Sequence, residues 1–152
     1  MEFILLPLKG FNTLNFGCTP KEFTAVYGEP AEIEELNDEV FNDHAKVYHY
    51  WDHGFSAFFS TQPAEKLTSI EIDNKESVMF GKKIFELNEK EVIALFEEQS
   101  YTLSESEMHE WGEKRLSFDD AGVDLYFANN KLTSINYGVT TDIAGPFYYF
   151  PN

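Results

Sequence analysis

The chain predicts an α+β fold: two α-β-β-β repeats whose antiparallel strands join into one curved sheet, with the helices packed on one face. Three observations predict it. Leu67-Thr68-Ser69-Ile70 recurs letter for letter as Leu132-Thr133-Ser134-Ile135. Upstream of each copy lies a segment broken by one glycine, Tyr50-Trp51-Asp52-His53-Gly54-Phe55 in the first and Phe118-Asp119-Asp120-Ala121-Gly122-Val123 in the second. Further upstream lies a short helical segment, marked by Lys21-Glu22-Phe23 and by Lys90-Glu91-Val92. An order kept across both halves sets the architecture. Gly54 and Gly122 are 68 residues apart and the tetrapeptides 65. The difference falls in the hairpin loops, long over residues 60–66 and short over 128–131, where insertions are tolerated. Residues 1–76 are read as the first repeat and 77–152 as the second. Each is near the lower size limit for independent stability, so the two share a core in one compact unit.

The elements follow in order. Residues 2–6 read as a short apolar strand. Thr19 caps a helix of about nine residues, with Pro20 at its first position and Glu22 completing a capping box. Phe23, Val26 and Tyr27 supply its apolar face. Gly28 ends it and Pro30 prevents its continuation. The acidic stretch 32–43 shows no periodicity and reads as loop. Residues 46–52, 55–60 and 67–73 read as strands. In the second half Asn88 caps a helix over 89–99, with Glu91 at the capping-box position and Val92, Leu95 and Phe96 facing inward. Strands are expected at 107–119, 123–128 and 132–139, with a tight turn at Asn129-Asn130, since Asn tolerates positive φ. The tail from Gly145 to Pro151 is aromatic and is expected to pack on the body.

Alternation along strands assigns the faces. Phe55, Ala57, Phe59, Ile70, Ile72, Val123, Leu125, Phe127, Ile135 and Tyr137 point toward the helices, with Tyr48, Tyr50, Leu116 and Phe118. The outer face then holds His49, Trp51, Phe58, Glu71, Asp124, Tyr126 and Asn136, along with Ser56, Ser69 and Ser134. A slip of one residue would invert every assignment. Aromatic side chains interspersed with polar ones are typical of a protein-binding patch, so these seven residues are the candidate partner-binding site. The alternative is a second core, covered by loops or by the aromatic tail.

Fifteen Phe and eight Tyr supply a packed core and argue against disorder. The net charge is −16, of which residues 1–76 carry −9 and residues 77–152 carry −7. Charge of one sign on both halves disfavours nucleic acid and anionic membranes as partners. It would speed encounter with a basic protein, or serve only to keep an aromatic-rich chain soluble. Cys18 is the single cysteine, so no internal disulfide forms. The start of the chain has no basic n-region, and Pro7 and Lys9 interrupt its apolar run. It reads as neither a signal peptide nor a membrane span. A soluble cytoplasmic protein is expected.

Catalytic chemistry finds little purchase. His44, His49 and His53 cluster in sequence near Asp43 and Asp52, but a spacing of four suits a metal only on a helix, and this segment reads as strand and turn. Cys18 precedes a helix, which can lower a thiol pKa, yet it reads as a small buried residue. Asp119-Asp120 and the run from Glu32 to Glu35 lie in polar turns rather than an apolar pocket that would raise one carboxylate. No catalytic residue, metal or cofactor is expected.

Gly17-Cys18-Thr19-Pro20-Lys21-Glu22-Phe23, followed by Tyr27-Gly28-Glu29-Pro30, resembles the Gly-Met-Thr-x-x-Glu-Val…Leu-Gly-x-Pro signature of the small helix-plus-sheet modules in outer-membrane assembly lipoproteins. A tandem pair of such modules is similar to the β-lactamase inhibitor protein fold, with its concave binding face. Small bacterial immunity proteins look alike too. The resemblance covers residues 17–30 as motif and about 14–139 as topology. It implies use of the sheet face against another macromolecule. The resulting expectation is a cytoplasmic inhibitor or immunity protein that occludes a basic partner such as a toxin domain, as a monomer or homodimer. An enzyme with a pocket at the repeat junction and a homodimerising structural module remain open at this point.

Overall fold

The computed structural model describes residues 2–38, 43–61, 64–139 and 150–151. It is a mixed α+β fold dominated by open sheet, with two α-helices among the described residues. Strand β1 (Ile4–Leu6) is followed by a hairpin of β2 (Gly10–Phe11) and β3 (Leu14–Asn15). Helix α1 (Pro20–Tyr27) comes next. A meander follows: β4 (Glu32–Asp38), β5 (Asp43–Tyr50), β6 (Phe55–Ser60) and β7 (Lys66–Ile72). A second hairpin, β8 (Val78–Met79) and β9 (Lys82–Lys83), leads to α2 (Glu89–Glu98). The second meander is β10 (Glu105–Met108), β11 (Glu113–Phe118), β12 (Val123–Ala128) and β13 (Lys131–Gly138).

The eight long strands form one sheet in the order β10-β11-β12-β13-β7-β6-β5-β4. The last strands of the two meanders meet antiparallel at its centre, with Ile135 opposite Ile72 and Tyr137 opposite Ile70. The short strands form a second sheet, β3-β2-β1-β8-β9. Within it β1 runs antiparallel to β2 and parallel to β8.

Both helices start at capping boxes, as the sequence predicts. Thr19 Oγ1 accepts from the Glu22 N–H at 3.1 Å, and the Thr19 N–H donates to Glu22 Oε1 at 3.0 Å. Asn88 Oδ1 accepts from the Glu91 N–H at 2.9 Å, with the return bond at 3.0 Å. Each box satisfies two backbone donors that the first turn would otherwise leave unpaired. Gly28 ends α1 at φ 80°.

The core lies between the helices and one face of the large sheet. From α1, Phe23 is buried edge-on against Phe59, with ring centroids 5.6 Å apart. From α2, Phe96 stacks on Phe118 at 4.1 Å. Cross-strand rows such as Phe55, Ile72, Ile135, Leu125 and Leu116 carry this apolar surface from one meander into the other. All of the inward assignments on the strands hold, Tyr48 as a partly buried ring packed on Phe59. Val26 does not face inward and is 52% exposed. The buried stripe of α1 runs through Phe23 and Tyr27, and Val26 lies about 100° around the helix from Tyr27.

Four strand expectations are corrected. Each helix is followed by four strands, not three, so the α-β-β-β reading gives way to α-β-β-β-β on both sides. The acidic stretch read as loop contains β4, which pairs with β5 from Glu32 opposite His49 to Asp38 opposite Asp43. An outermost strand has solvent on both faces and needs no alternation, and its charges guard the open edge. The strand expected over 107–119 is a hairpin: β10 and β11 are folded back at His109–Gly112, where Gly112 takes φ 91° and the His109 N–H donates to the Glu113 carbonyl at 2.7 Å. The strand expected over 46–52 ends at Tyr50, and Trp51–His53 form a 3-10 turn.

The two meanders share irregularities as well as order. Opposite Phe58/Phe59 and opposite Tyr126/Phe127 the register shifts by one residue. The extra residues are Thr68 and Thr133, whose hydroxyls donate to the carbonyls of Phe58 and Tyr126. The Gly54 N–H donates to the Trp51 carbonyl and the Gly122 N–H to the Asp119 carbonyl, both at 3.2 Å. The Gly54 carbonyl accepts from Asp73 and that of Gly122 from Gly138, both at 3.0 Å. Asn129 and Asn130 turn β12 into β13 at φ 51° and 62°. Of the aromatic tail, residues 145–149 lie outside the described residues. Phe150 packs beside Gly17 with the Lys66 ammonium 5.1 Å from its ring centroid.

Candidate functional site

The face of the large sheet turned away from the helices is organised by register. Paired residues of neighbouring antiparallel strands point the same way. One row therefore crosses all eight strands: Glu32, His49, Ser56, Glu71, Asn136, Asp124, Ser117 and Glu105. Four of the seven candidate residues, His49, Glu71, Asn136 and Asp124, stand in it. Phe58 and Tyr126 stand one position further along the same face, each at the edge of a bulge and each partly buried. Trp51 has left the strand, yet its ring stacks on that of His49 at 5.3 Å and is 59% exposed. The structure thus places all seven residues on one surface.

The flanks of this row are tied down by polar networks. On the β5 side His49 Nδ1 lies 2.7 Å from Ser56 Oγ, and Nε2 lies 2.9 Å from Glu34 Oε1. On the β11 side Arg115 gathers three carboxylates. Its guanidinium donates to Glu105 at 3.1 Å and to Glu107 at 2.6 Å, and stands 3.8 Å from Asp124. The Ser117 hydroxyl accepts from Arg115 and donates to Asp124. The hydrogen bond from Arg115 holds the Glu107 carboxyl below its usual range. Partial burial, then the nearby Asp124 carboxylate, pushes the Tyr126 phenol up.

The centre of the row is different. A shallow depression of about 160 Å3 opens there, lined by Trp51, Gly54, Phe55, Ser56, Glu71, Ile72, Asp73 and Ser134. Asp73 and Arg115 are not among the residues the sequence points to; Ser134 is assigned to the outer face but not to the seven, and Glu34 is read as part of an acidic loop. The signal for Asp73 was its match to Gly138 when the two tetrapeptides are aligned. Glu34 and Arg115 could be found only once β4 and the β10–β11 hairpin were recognised. A larger hollow of about 610 Å3 lies on the helix side, beside the start of α2, between Lys75, Phe85, Asn88, Asn130 and Lys131. The α2 capping box already satisfies the backbone donors there.

The three clustered histidines take separate paths. His44 bonds Asn37 at 2.7 Å, His49 lies on the outer face, and the His53 ring packs on Phe55 and Phe3. Among the described residues no three His, Cys, Asp or Glu side chains come together as metal ligands. Cys18 is partly buried against the core, and burial together with the Glu22 carboxylate pushes its thiol up to about 11. The buried polar side chains among the described residues are Ser60, Ser77 and Ser117. Among the described residues no helix is long and apolar enough to cross a membrane. No family model, no curated protein and no solved structure matches the chain.

Proposed function

We propose that this chain is a non-catalytic binding protein whose outer sheet face occludes a basic protein partner, in the manner of a cytoplasmic inhibitor or immunity protein. The observation that carries the reading is the polar row that crosses all eight strands, with Trp51, Phe58 and Tyr126 set along it. Such a surface offers a few aromatic anchors on a broad, nearly fixed platform, which is how protein interfaces concentrate affinity. Each anchor would contribute on the order of 2 kcal/mol. The net charge of −16 would raise the association rate toward a cationic partner.

We infer further that the platform arose by duplication of one helix-plus-four-strand unit. Support comes from the paired bulges at Thr68 and Thr133, the paired capping boxes, and the matching glycine turns. The hairpins before the two helices fit the same scheme.

The test is affinity capture from the native cell with the wild-type chain and with Trp51→Ala, Phe58→Ala and Tyr126→Ala variants, each checked for folding by circular dichroism. A partner retained by the wild type and lost by the variants is expected, with an association rate that falls steeply as salt is added. Proteins held equally by all four, or binding whose rate ignores salt, would remove the reading.

A further inference from the structure

The acids of the outer face are not equivalent. Glu34 is bonded to His49, and Glu105, Glu107 and Asp124 surround Arg115. The carboxylates of Glu71 and Asp73 accept no hydrogen bond and form no ion pair among the described residues. Lys75, two residues beyond Asp73, is turned away. Its ammonium sits 4.6 Å from the Phe85 ring centroid and 3.4 Å from the Thr133 carbonyl. These two carboxylates line a shallow depression on this face, and the exposed Trp51 lines it with them.

The local fold holds these groups together. The Asp73 N–H donates to the Gly54 carbonyl, and Asn74 Nδ2 donates to the His53 carbonyl at 2.9 Å. Both bonds fasten the end of β7 to the turn that carries Trp51. Gly54 lets Asp73 come close, since a Cβ there would stand 2.8 Å from Asp73 Oδ1. The matching turn of the second meander keeps the two backbone hydrogen bonds of the glycine, but Asp119 stands where Trp51 does and Gly138 where Asp73 does, and the Asn74 bond has no counterpart. Asn136 takes the place of Glu71. The same backbone therefore carries the aromatic wall and the spare carboxylates on one side only.

We propose that this depression is a socket for an arginine side chain of the partner, an assignment that rests on the outer face being a protein-binding surface. A flat guanidinium can lie on an indole while its N–H groups reach carboxylates at the rim, a combination that the compact lysine ammonium satisfies less well. Charge complementarity selects a cation, and the indole selects a planar one.

The probe is a blocked Gly-Arg-Gly peptide, with Gly-Lys-Gly and the neutral Gly-citrulline-Gly as comparators, titrated while the two indole N–H signals are followed by NMR. Trp111, 73% exposed on the β10–β11 hairpin, is the internal control. The arginine peptide should shift the Trp51 indole saturably in the millimolar range and leave Trp111 nearly still. Glu71→Gln and Asp73→Asn should each weaken binding at least about threefold, and citrulline should not bind. Equal shifts at both indoles, absence of saturation, or equal binding of the lysine peptide would overturn the socket. Phe58 and Tyr126 lie outside it. A captured protein lost by Phe58→Ala and Tyr126→Ala, with the peptide silent at Trp51, would overturn the socket and leave the protein-binding reading intact.

Discussion

The phenol of Tyr137 donates a 2.9 Å hydrogen bond to the carbonyl of Gly10, joining the last strand of the large sheet to the first hairpin of the small one across 127 residues. Tyr137 is 1% exposed, and burial pushes its phenol well above its usual range. Tyr137→Phe keeps the ring and strands a buried carbonyl. A loss of about 1–2 kcal/mol is expected, read as a lower urea midpoint at unchanged slope. An unchanged midpoint would show that water already serves the Gly10 carbonyl.

The two glycine turns should differ in their response to alanine. Both glycines have positive φ, 71° at Gly54 and 67° at Gly122, so each substitution costs about 1 kcal/mol in backbone strain alone. A Cβ at Gly54 meets the end of the Asp73 side chain, which can swing aside. A Cβ at Gly122 stands 2.4 Å from the Gly138 carbonyl oxygen, which is held in the sheet. Gly122→Ala is therefore expected to unfold at clearly lower denaturant than Gly54→Ala. Equal midpoints would refute the difference.

Cys18 should be a sluggish nucleophile. A thiol pushed from 9.0 up to about 11 has roughly a hundredfold less thiolate at neutral pH than an ordinary one, and partial burial slows access further. Its reaction with an aromatic disulfide reagent should lag far behind that of a free thiol and accelerate on unfolding. The raised value also fixes a sign: the stability it confers is complete below the ordinary thiol pKa and is eroded as pH climbs through about 11. A native-state rate matching the free thiol would contradict the burial.

On the acid side the sign reverses. The carboxyls of Glu107 and Glu22 are both held below their usual range, the first by the Arg115 hydrogen bond and the second by the Thr19 backbone and hydroxyl. A depressed pKa contributes stability that is present above the ordinary carboxylate range and is lost as pH falls through the lowered value. Arg115→Met should bring the Glu107 titration back toward an ordinary glutamate while leaving Glu22 where it is, as carboxyl NMR titration can follow. A Glu107 midpoint that does not move would mean Arg115 does not govern it.

Helix starts were legible in the sequence because they depend on a few adjacent residues. Thr19 with Glu22 and Asn88 with Glu91 specify their caps locally. Strands β6, β7, β12 and β13 were legible because each has one buried face, and alternation follows burial. The outer strands were not. On β4 the residues Glu32, Ile33, Glu34, Glu35 and Leu36 obey no period of two, since Ile33 is 49% and Leu36 40% exposed, and only one side of the strand is paired. The hairpin at His109–Gly112 was hidden for a similar reason: every β10 residue is exposed.

The candidate surface was readable as a face but not as a set of pairings. Alternation placed His49, Phe58, Glu71, Asp124, Tyr126 and Asn136 on the outer side. It said nothing of which carboxylates Arg115 would gather, because those bonds depend on β10 lying beside β11. Asp73 escaped notice for a related reason. It follows the last strand residue, and its place beside Trp51 is set by hydrogen bonds to the glycine turn.

An open sheet has two rims, and here glutamates line both: Glu32, Glu34 and Glu35 on β4, and Glu105 and Glu107 on β10. The spare backbone groups along a rim are a template for strands of a second copy, and like charge is what turns such a copy away. Among the described residues the sheet ends at β4 and β10, and the like charge of these two rims disfavours pairing with a second copy. In acid strong enough to neutralise those glutamates, copies should knit rim to rim into growing ribbons.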